Sequence, residues 1–361
     1  CCLSPPAQEA HMSSPAFIEV PGLNFDWLNL DTQQGMEIHA GRRGLTLEQI
    51  NQMSYGVDSR AESGIPVFSP RGSAPDARSP RHARQYRNKA DVWSESAMLL
   101  YEEANQRQWS SATDIPWDEV KPMSDDLEMA MCTLCTFLTQ VEFIAGDLPG
   151  RYMEQVHPDH FEAQLFLGTQ IMDESRHLDV FRKRTLVNGG GMVDAGFGAI
   201  NLLSVDDFTE MTALLHLVGE GFVQTLFRMG EMISQNEAEK KMFRLAAQDE
   251  SRHLAFGVTH LKYVMDTEPW RKEELHHYLD IQEGALGQNQ QASLTTNPMT
   301  GEALAILAGG GIEHMDEGFE KLMIMRKRQV NEYMHRLEVI GMGDRRERMA
   351  PGMKALLDPV A

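Results

Sequence analysis

Asp173-Glu174-Ser175-Arg176-His177-Leu178 recurs unchanged as Asp249-Glu250-Ser251-Arg252-His253-Leu254. An identical hexapeptide at two distant places marks an internal repeat, and each copy contains Glu-x-x-His. On a helix, side chains three residues apart project from neighbouring points of one face. Each copy therefore aims a carboxylate and an imidazole at one spot. A single Glu-x-x-His turns up by accident in many helical proteins, where an exposed Glu and a capping His explain it; a matched pair is far more specific.

The surroundings of both copies read as long helices. Segments at about Ser124–Ile144, Asp159–Leu186, Val205–Gln235 and Glu237–Met265 are rich in Leu, Met, Ala and Glu and poor in alternating β-branched runs. Pro149-Gly150 through Pro158 separates the first two, a Gly-rich stretch from Asn188 to Ser204 separates the second from the third, and Gln235-Asn236 makes a tight joint before the fourth. Short, long, short is the pattern of two antiparallel hairpins joined by a crossover. Further helical stretches, Arg271–Leu286 and Glu302–Ile340, are expected to pack outside this bundle.

The two remaining helices each carry one acid inside an apolar stretch. Glu142 lies 32 residues before Glu174, and Glu220 lies 30 residues before Glu250. Near-equal spacing sets each Glu level with the Glu-x-x-His across from it. Four buried carboxylates without counter-charge would be costly or forced to protonate. Two divalent cations balance Glu142, Glu174, Glu220 and Glu250, and His177 and His253 complete two similar sites. Oxygen-rich ligation with one imidazole per metal suits iron or manganese better than copper or structural zinc.

The helix order Glu, Glu-x-x-His, Glu, Glu-x-x-His resembles the ferritin-like di-iron carboxylate proteins. The fuller Asp-Glu-x-Arg-His in both repeats resembles bacterial multicomponent monooxygenase hydroxylases and ribonucleotide-reductase-like oxidases. The resemblance covers roughly Ser124 to Met265 and implies an all-α, ferritin-like four-helix bundle with additional flanking helices. It implies two irons, or manganese in one site, and O2 activation. Glu142, Glu174 and His177 would hold one metal, Glu220, Glu250 and His253 the other, with Glu174 and Glu250 able to bridge. Asp173 and Asp249 would orient the His of the opposite helix, and Arg176 and Arg252 would pair with those acids.

Departures from these relatives narrow the expectation. Phe181 stands where ribonucleotide reductase small subunits carry their radical Tyr. Ala246 stands where aryl-amine N-oxygenases carry an extra His, and His216, one turn before Glu220, is the residue that could substitute, although a core His is the better reading. Gln224, with Thr225 beside it, replaces the Thr that monooxygenases place one turn after the third-helix Glu. Leu138, Phe181 and Gln224 each lie one turn from a ligand and are the candidate pocket residues. The activity expected is oxidation of a small organic substrate, by hydroxylation, N-oxygenation or desaturation, with electrons from a reductase or ferredoxin. The alternatives are a ferroxidase or peroxide scavenger, and a non-catalytic iron-binding protein. A homodimer is left open.

Composition fits this reading. The chain has 361 residues with 42% hydrophobic and 24% charged residues, an ordinary globular balance in which no membrane span is expected. Lys plus Arg number 33 against 53 Asp plus Glu, for a net charge of −20, so nucleic acid is not an expected partner. Four Cys cannot frame a chain of this length with disulfides, and a reducing cytoplasm is the expected compartment. Cys132 and Cys135 on the first helix read as buried core thiols, and His157-Pro158-Asp159-His160 as a helix start. The 23 Met read as adaptable core packing.

Residues 1–93 are expected to form a loop-rich N-terminal extension, and residues 94–361 the di-iron helical domain with its C-terminal helices. Within the extension, Arg71, Arg78, Arg81, Arg84, Arg87 and Lys89 surround only Asp76, a basic arm on an acidic chain. Residues 1–12, beginning Cys1-Cys2, read with Ala10-His11-Met12-Ser13 as a cloning junction or an upstream extension and carry no part of the functional expectation.

Overall fold

On each of four long helices a polar turn interrupts an apolar face at the same level, and that layer organises the molecule. The computed structural model describes residues 22, 37–51, 88–194, 200–288 and 298–359. The basic arm lies outside the described residues apart from its end at Asn88 and Lys89, as do residues 1–12.

The elements in chain order are α1 (Leu47–Asn51), α2 (Ala97–Gln106), α3 (Asp125–Met153), α4 (Phe161–Val187), α5 (Phe208–Met211), a π-helical stretch (Thr212–Glu220), α6 (Gly221–Ile233), α7 (Glu237–Thr267), α8 (Lys272–Gln288), α9 (Pro298–Gly309), α10 (Met315–Ile340), α11 (Arg345–Arg348) and α12 (Pro351–Lys354). Among the described residues the only extended pairing is an isolated bridge between Gly41 and Gly44. α3 and α4 form one hairpin; α5, the π stretch and α6, which run on as one rod, form the second with α7. α9 lies on α3, α10 spans α6 and α7, and α8 covers the π stretch.

Local chemistry sets several boundaries. Asp207 caps α5 by accepting the Glu210 N–H at 2.9 Å, and Asn236 caps α7 by accepting the Glu239 N–H at 2.9 Å. Asp125, Asp126 and Glu128 place negative charge on the first turn of α3, where the helix dipole favours it. α3 runs through Pro149-Gly150 instead of ending there. Leu148, Tyr152 and Val156 are fully or almost fully buried against Phe166 and Phe208, and the Tyr152 hydroxyl donates to the Val205 carbonyl at 2.6 Å. Burial of that turn, about 1.5–3 kcal/mol per large apolar side chain, offsets the hydrogen bond that Pro149 cannot donate.

The stretch expected as one helix from Glu302 to Ile340 is broken into α9 and α10. Gly310 and Gly311 adopt φ of 87° and 146°, conformations open to glycine and not to a helix. By length and composition α3 is the one described helix able to cross a membrane, and 67% of its most apolar window is buried inside the bundle.

Two apolar clusters enclose the polar layer. Leu138, Val180, Phe181, Leu226, Phe227 and Ala246 belong to one. Ala145, Leu148, Phe166, Leu214, Leu215 and Phe256 belong to the other. Glu142, Glu174, His177, Glu220, Glu250 and His253 lie between them along the four helices, each at most 3% exposed.

Candidate metal centre

The six residues converge as two overlapping groups, Glu142, Glu174, His177 and Glu250 in one and Glu174, Glu220, Glu250 and His253 in the other, with ligand atoms within 4.8 Å of one another in each. His177 Nδ1 lies 3.0 Å from Glu174 Oε2, 3.3 Å from Glu250 Oε1 and 3.9 Å from Glu142 Oε2. His253 Nδ1 lies 3.0 Å from Glu174 Oε1, 3.4 Å from Glu250 Oε2 and 3.8 Å from Glu220 Oε1. Glu174 and Glu250 thus present one oxygen to each group, as two bridging carboxylates do.

The far side of each imidazole is held by the other hairpin. His177 Nε2 is 3.2 Å from Asp249 Oδ2, and His253 Nε2 is 3.3 Å from Asp173 Oδ2. An Nε2–H donated to each aspartate leaves the Nδ1 lone pair facing the carboxylates. Two lone-pair-bearing atoms about 3 Å apart repel unless a proton or a metal cation stands between them. Buried oxygens of Glu142, Glu174, Glu220 and Glu250 and Nδ1 of His253 lack a hydrogen-bond partner, which is costly for protein atoms alone. Four hard oxygen donors and two imidazoles fit a pair of iron or manganese ions.

The electrostatics express the same demand for positive charge. Burial, followed by the neighbouring charge of Glu174, pushes the Glu142 carboxyl well above the usual range. Burial does the same to Glu220, with Glu250 adding to it. Against burial, the imidazole of His253 holds Glu174 far below its ordinary value. Against burial, the hydrogen bond from His177 holds Asp249 low. Both imidazoles are pushed well up, against burial, by the carboxylates around them.

Arg176 and Arg252 close a ring behind the site. Arg252 Nη2 donates to Asp173 Oδ2 at 2.8 Å and also pairs with Asp249; Arg176 Nη2 reaches Asp249 Oδ2 at 3.2 Å and also pairs with Asp173. Each guanidinium therefore ties the aspartate of its own helix to that of the other.

Of the pocket candidates, Gln224 lines a groove between α6, α7 and α10 and donates from Nε2 to Ser251 Oγ at 2.5 Å. Phe181 and Leu138 sit fully buried in the apolar cluster, with the Phe181 ring 5.3 Å from that of Phe227. His216 does not join the ligand groups; it hydrogen-bonds Gln170 Oε1 at 3.1 Å and is a core histidine. Cys132 and Cys135 are buried free thiols, and burial pushes Cys132 up to about 11. His157 caps its helix start, accepting the Asp159 N–H at 3.1 Å.

Two residues of the site have no motif to betray them. Trp109, in the connection after α2, donates from Nε1 to Asp249 Oδ2 at 2.7 Å, and the Arg176 guanidinium lies 5.3 Å from its ring centre. Gln170 donates from Nε2 to Glu220 Oε1 at 2.9 Å; its place four residues before Glu174, on the same helix face, was the available signal.

No protein-family model and no curated protein matches the chain. Among solved structures, two variants of an R2-like ligand-binding oxidase, each with an aerobically reconstituted Mn/Fe cofactor, match with a TM-score of 0.51 at 17% identity, over 68% of this chain and 94% of theirs. The likeness is one of fold, and the fold is a ferritin-like helical bundle with flanking helices.

Proposed function

We propose that the chain is a non-haem di-metal oxidoreductase that uses O2 to oxidise a small organic substrate. The observation that carries this reading is the sharing of Glu174 and Glu250 between the two groups, with one oxygen of each near His177 and the other near His253. Glu142 with His177 and Glu220 with His253 would complete the two sites. Two irons are the first expectation; the Mn/Fe cofactor of the structural neighbours keeps manganese in one site within the same donor set.

When bound, a pair of Fe(II) ions supplies two electrons to O2. The chain supplies the rest. Asp173 and Asp249 fix the imidazole tautomers, and the Arg176–Arg252 ring neutralises those acids without competing for the ligands. The apolar clusters on either side exclude water from the reacting volume. Phe181 and Leu138 would form its apolar wall, and Gln224 its border toward the groove. Electrons for repeated turnover would come from a reductase or ferredoxin, and the buried free thiols suit a reducing, cytoplasmic compartment.

Metal analysis joined to rapid mixing of the Fe(II)-loaded protein with O2 tests this. About two metals per chain and an O2-dependent absorbance change whose decay is accelerated by an organic compound support it. Repeated turnover of Fe(II) alone, with no compound altering the decay, assigns a ferroxidase instead.

A further inference from the structure

Where α10 crosses α6 and α7 the surface opens into a groove of about 530 Å³. Gln224 and Leu254, both buried, line its depth, and Arg228 and His335, both exposed, line its mouth. Between them stands Arg336, 12% exposed, with Nη1 buried and without a hydrogen-bond partner. Its Nη2 reaches Glu332 Oε2 only at 3.4 Å.

Glu332 is already committed elsewhere. It accepts Thr225 Oγ1 at 2.9 Å and Arg328 Nε at 2.8 Å, and Arg228 Nη1 lies 3.6 Å away. One carboxylate shared among three guanidiniums leaves surplus positive charge on a chain whose net charge is −20. Arg326, the other α10 guanidinium with an unpartnered Nη1, lies over the Phe222 ring at 5.0 Å, a cation–π contact that accounts for it. No ring lies under Arg336 among the described residues. Burial pushes its guanidinium down to about 10, and the shared carboxylate of Glu332 opposes this only in part.

The chain also makes room for this guanidinium. A Cβ at position 221 would stand 2.6 Å from Arg336 Nη1 and 3.6 Å from Leu254 Cδ1. Gly221 directly follows Glu220 and Leu254 directly follows His253, so the inner edge of Arg336 lies beside the immediate neighbours of two metal-site residues.

We propose that this groove binds an organic anion, a carboxylate or a phosphate monoester, whose acidic group pairs with Arg336 and whose uncharged part lies along Leu254 and Gln224 toward the metal centre. The planar guanidinium of Arg336 in the groove wall, with Arg228 at the mouth, matches either oxyanion. That the bound anion is also the molecule oxidised rests on the function proposed above; the binding itself does not.

The test is equilibrium binding of benzoate, phenyl phosphate and neutral benzamide to the full chain, with and without metal. The acids should bind about tenfold or more tightly than benzamide, Arg336→Gln should remove that advantage, and Glu332→Gln, which frees the guanidinium, should strengthen binding. The stronger of the two acids identifies the natural head group. Metal per chain should stay unchanged in both variants. Should Arg336→Gln lose helicity, Glu332→Gln and Arg228→Gln carry the same reading. Benzamide binding as tightly as benzoate, or acid binding unmoved by the charge variants, overturns the proposal. Because the metal-free protein is measured as well, a failure to bind iron or react with O2 leaves this result standing by itself.

Discussion

Gln170 donates to Glu220 at 2.9 Å and accepts in turn from His216 at 3.1 Å. Glu220 is thereby held through a buried chain. Its counterpart Glu142 has an Oε1 with no partner, and the residue that corresponds to Gln170 by repeat position is Ala246. The two halves of the centre are therefore matched in candidate ligands and unequal in support. Gln170→Leu should weaken one of two metal sites by about tenfold or more while sparing the other. Titration with Mn(II) followed by electron paramagnetic resonance reads this out; equal losses at both sites contradict it.

Glu174 contributes an oxygen to both groups, His253 a nitrogen to one. Glu174→Ala should lower the affinity for both metals, and His253→Ala should leave about one metal per chain. Far-ultraviolet circular dichroism should show the helices intact, since the apolar clusters on either side are untouched. Full loading of both variants would remove these residues from the ligand set.

The Trp109 indole donates to an aspartate that stands behind His177. Trp109→Phe keeps the ring and removes that donor, and a hydrogen bond to a charged group is worth about 1.5–3 kcal/mol. Denaturant unfolding of the metal-free protein should register a loss of that size, because Asp249 retains its arginine partners. An unchanged midpoint would show that the bond contributes nothing net.

His260 is fully buried, with Nδ1 donating to the Trp93 carbonyl at 2.8 Å, and burial lowers it from 6.5 to about 4. The unfolded chain takes up this proton near pH 6.5 and the folded chain only near pH 4. Stability is unaffected above pH 6.5 and falls as pH drops through that window, by up to about 1.4 kcal/mol per pH unit. His260→Gln should flatten the slope there. A slope identical to wild type would mean that other groups set it.

Phe181 packs against Phe227 and Phe243 at 5.3 and 5.9 Å between ring centres. Phe181→Ala should cost about 3–5 kcal/mol of stability and, under the wall role proposed for it, alter which organic compounds accelerate decay of the O2-dependent signal, with iron content unchanged. Unfolding and iron analysis are the controls. A preference identical to wild type would make Phe181 a packing residue only.

The residues that converge at the centre could be read from the chain because ligation demands particular side chains at fixed helical intervals. Two identical Glu-x-x-His turns and two acids at matching distances leave little else for them to do. What surrounds them obeys weaker rules. Trp109 lies in an irregular connection, where periodicity says nothing. The π-helical stretch from Thr212 to Glu220 has the apolar composition of an ordinary buried helix, and so rare a form leaves no mark of its own in the sequence. The run through Pro149 reflects tertiary burial prevailing over a local breaker. The division at Gly309 to Gly311 is carried by consecutive glycines, two of which adopt positive φ.

The crossed pairs, His177 with Asp249 and His253 with Asp173, bear on how the molecule assembles. Neither hairpin alone contains an imidazole together with the aspartate that orients it. An isolated hairpin would display a Glu-x-x-His with a rotating ring, and metal capture by such a fragment would be loose and unselective. Tight uptake of metal by the proposed centre would then wait until the two halves have docked, and a chain trapped with its halves apart would be starved of metal before it lost its helices.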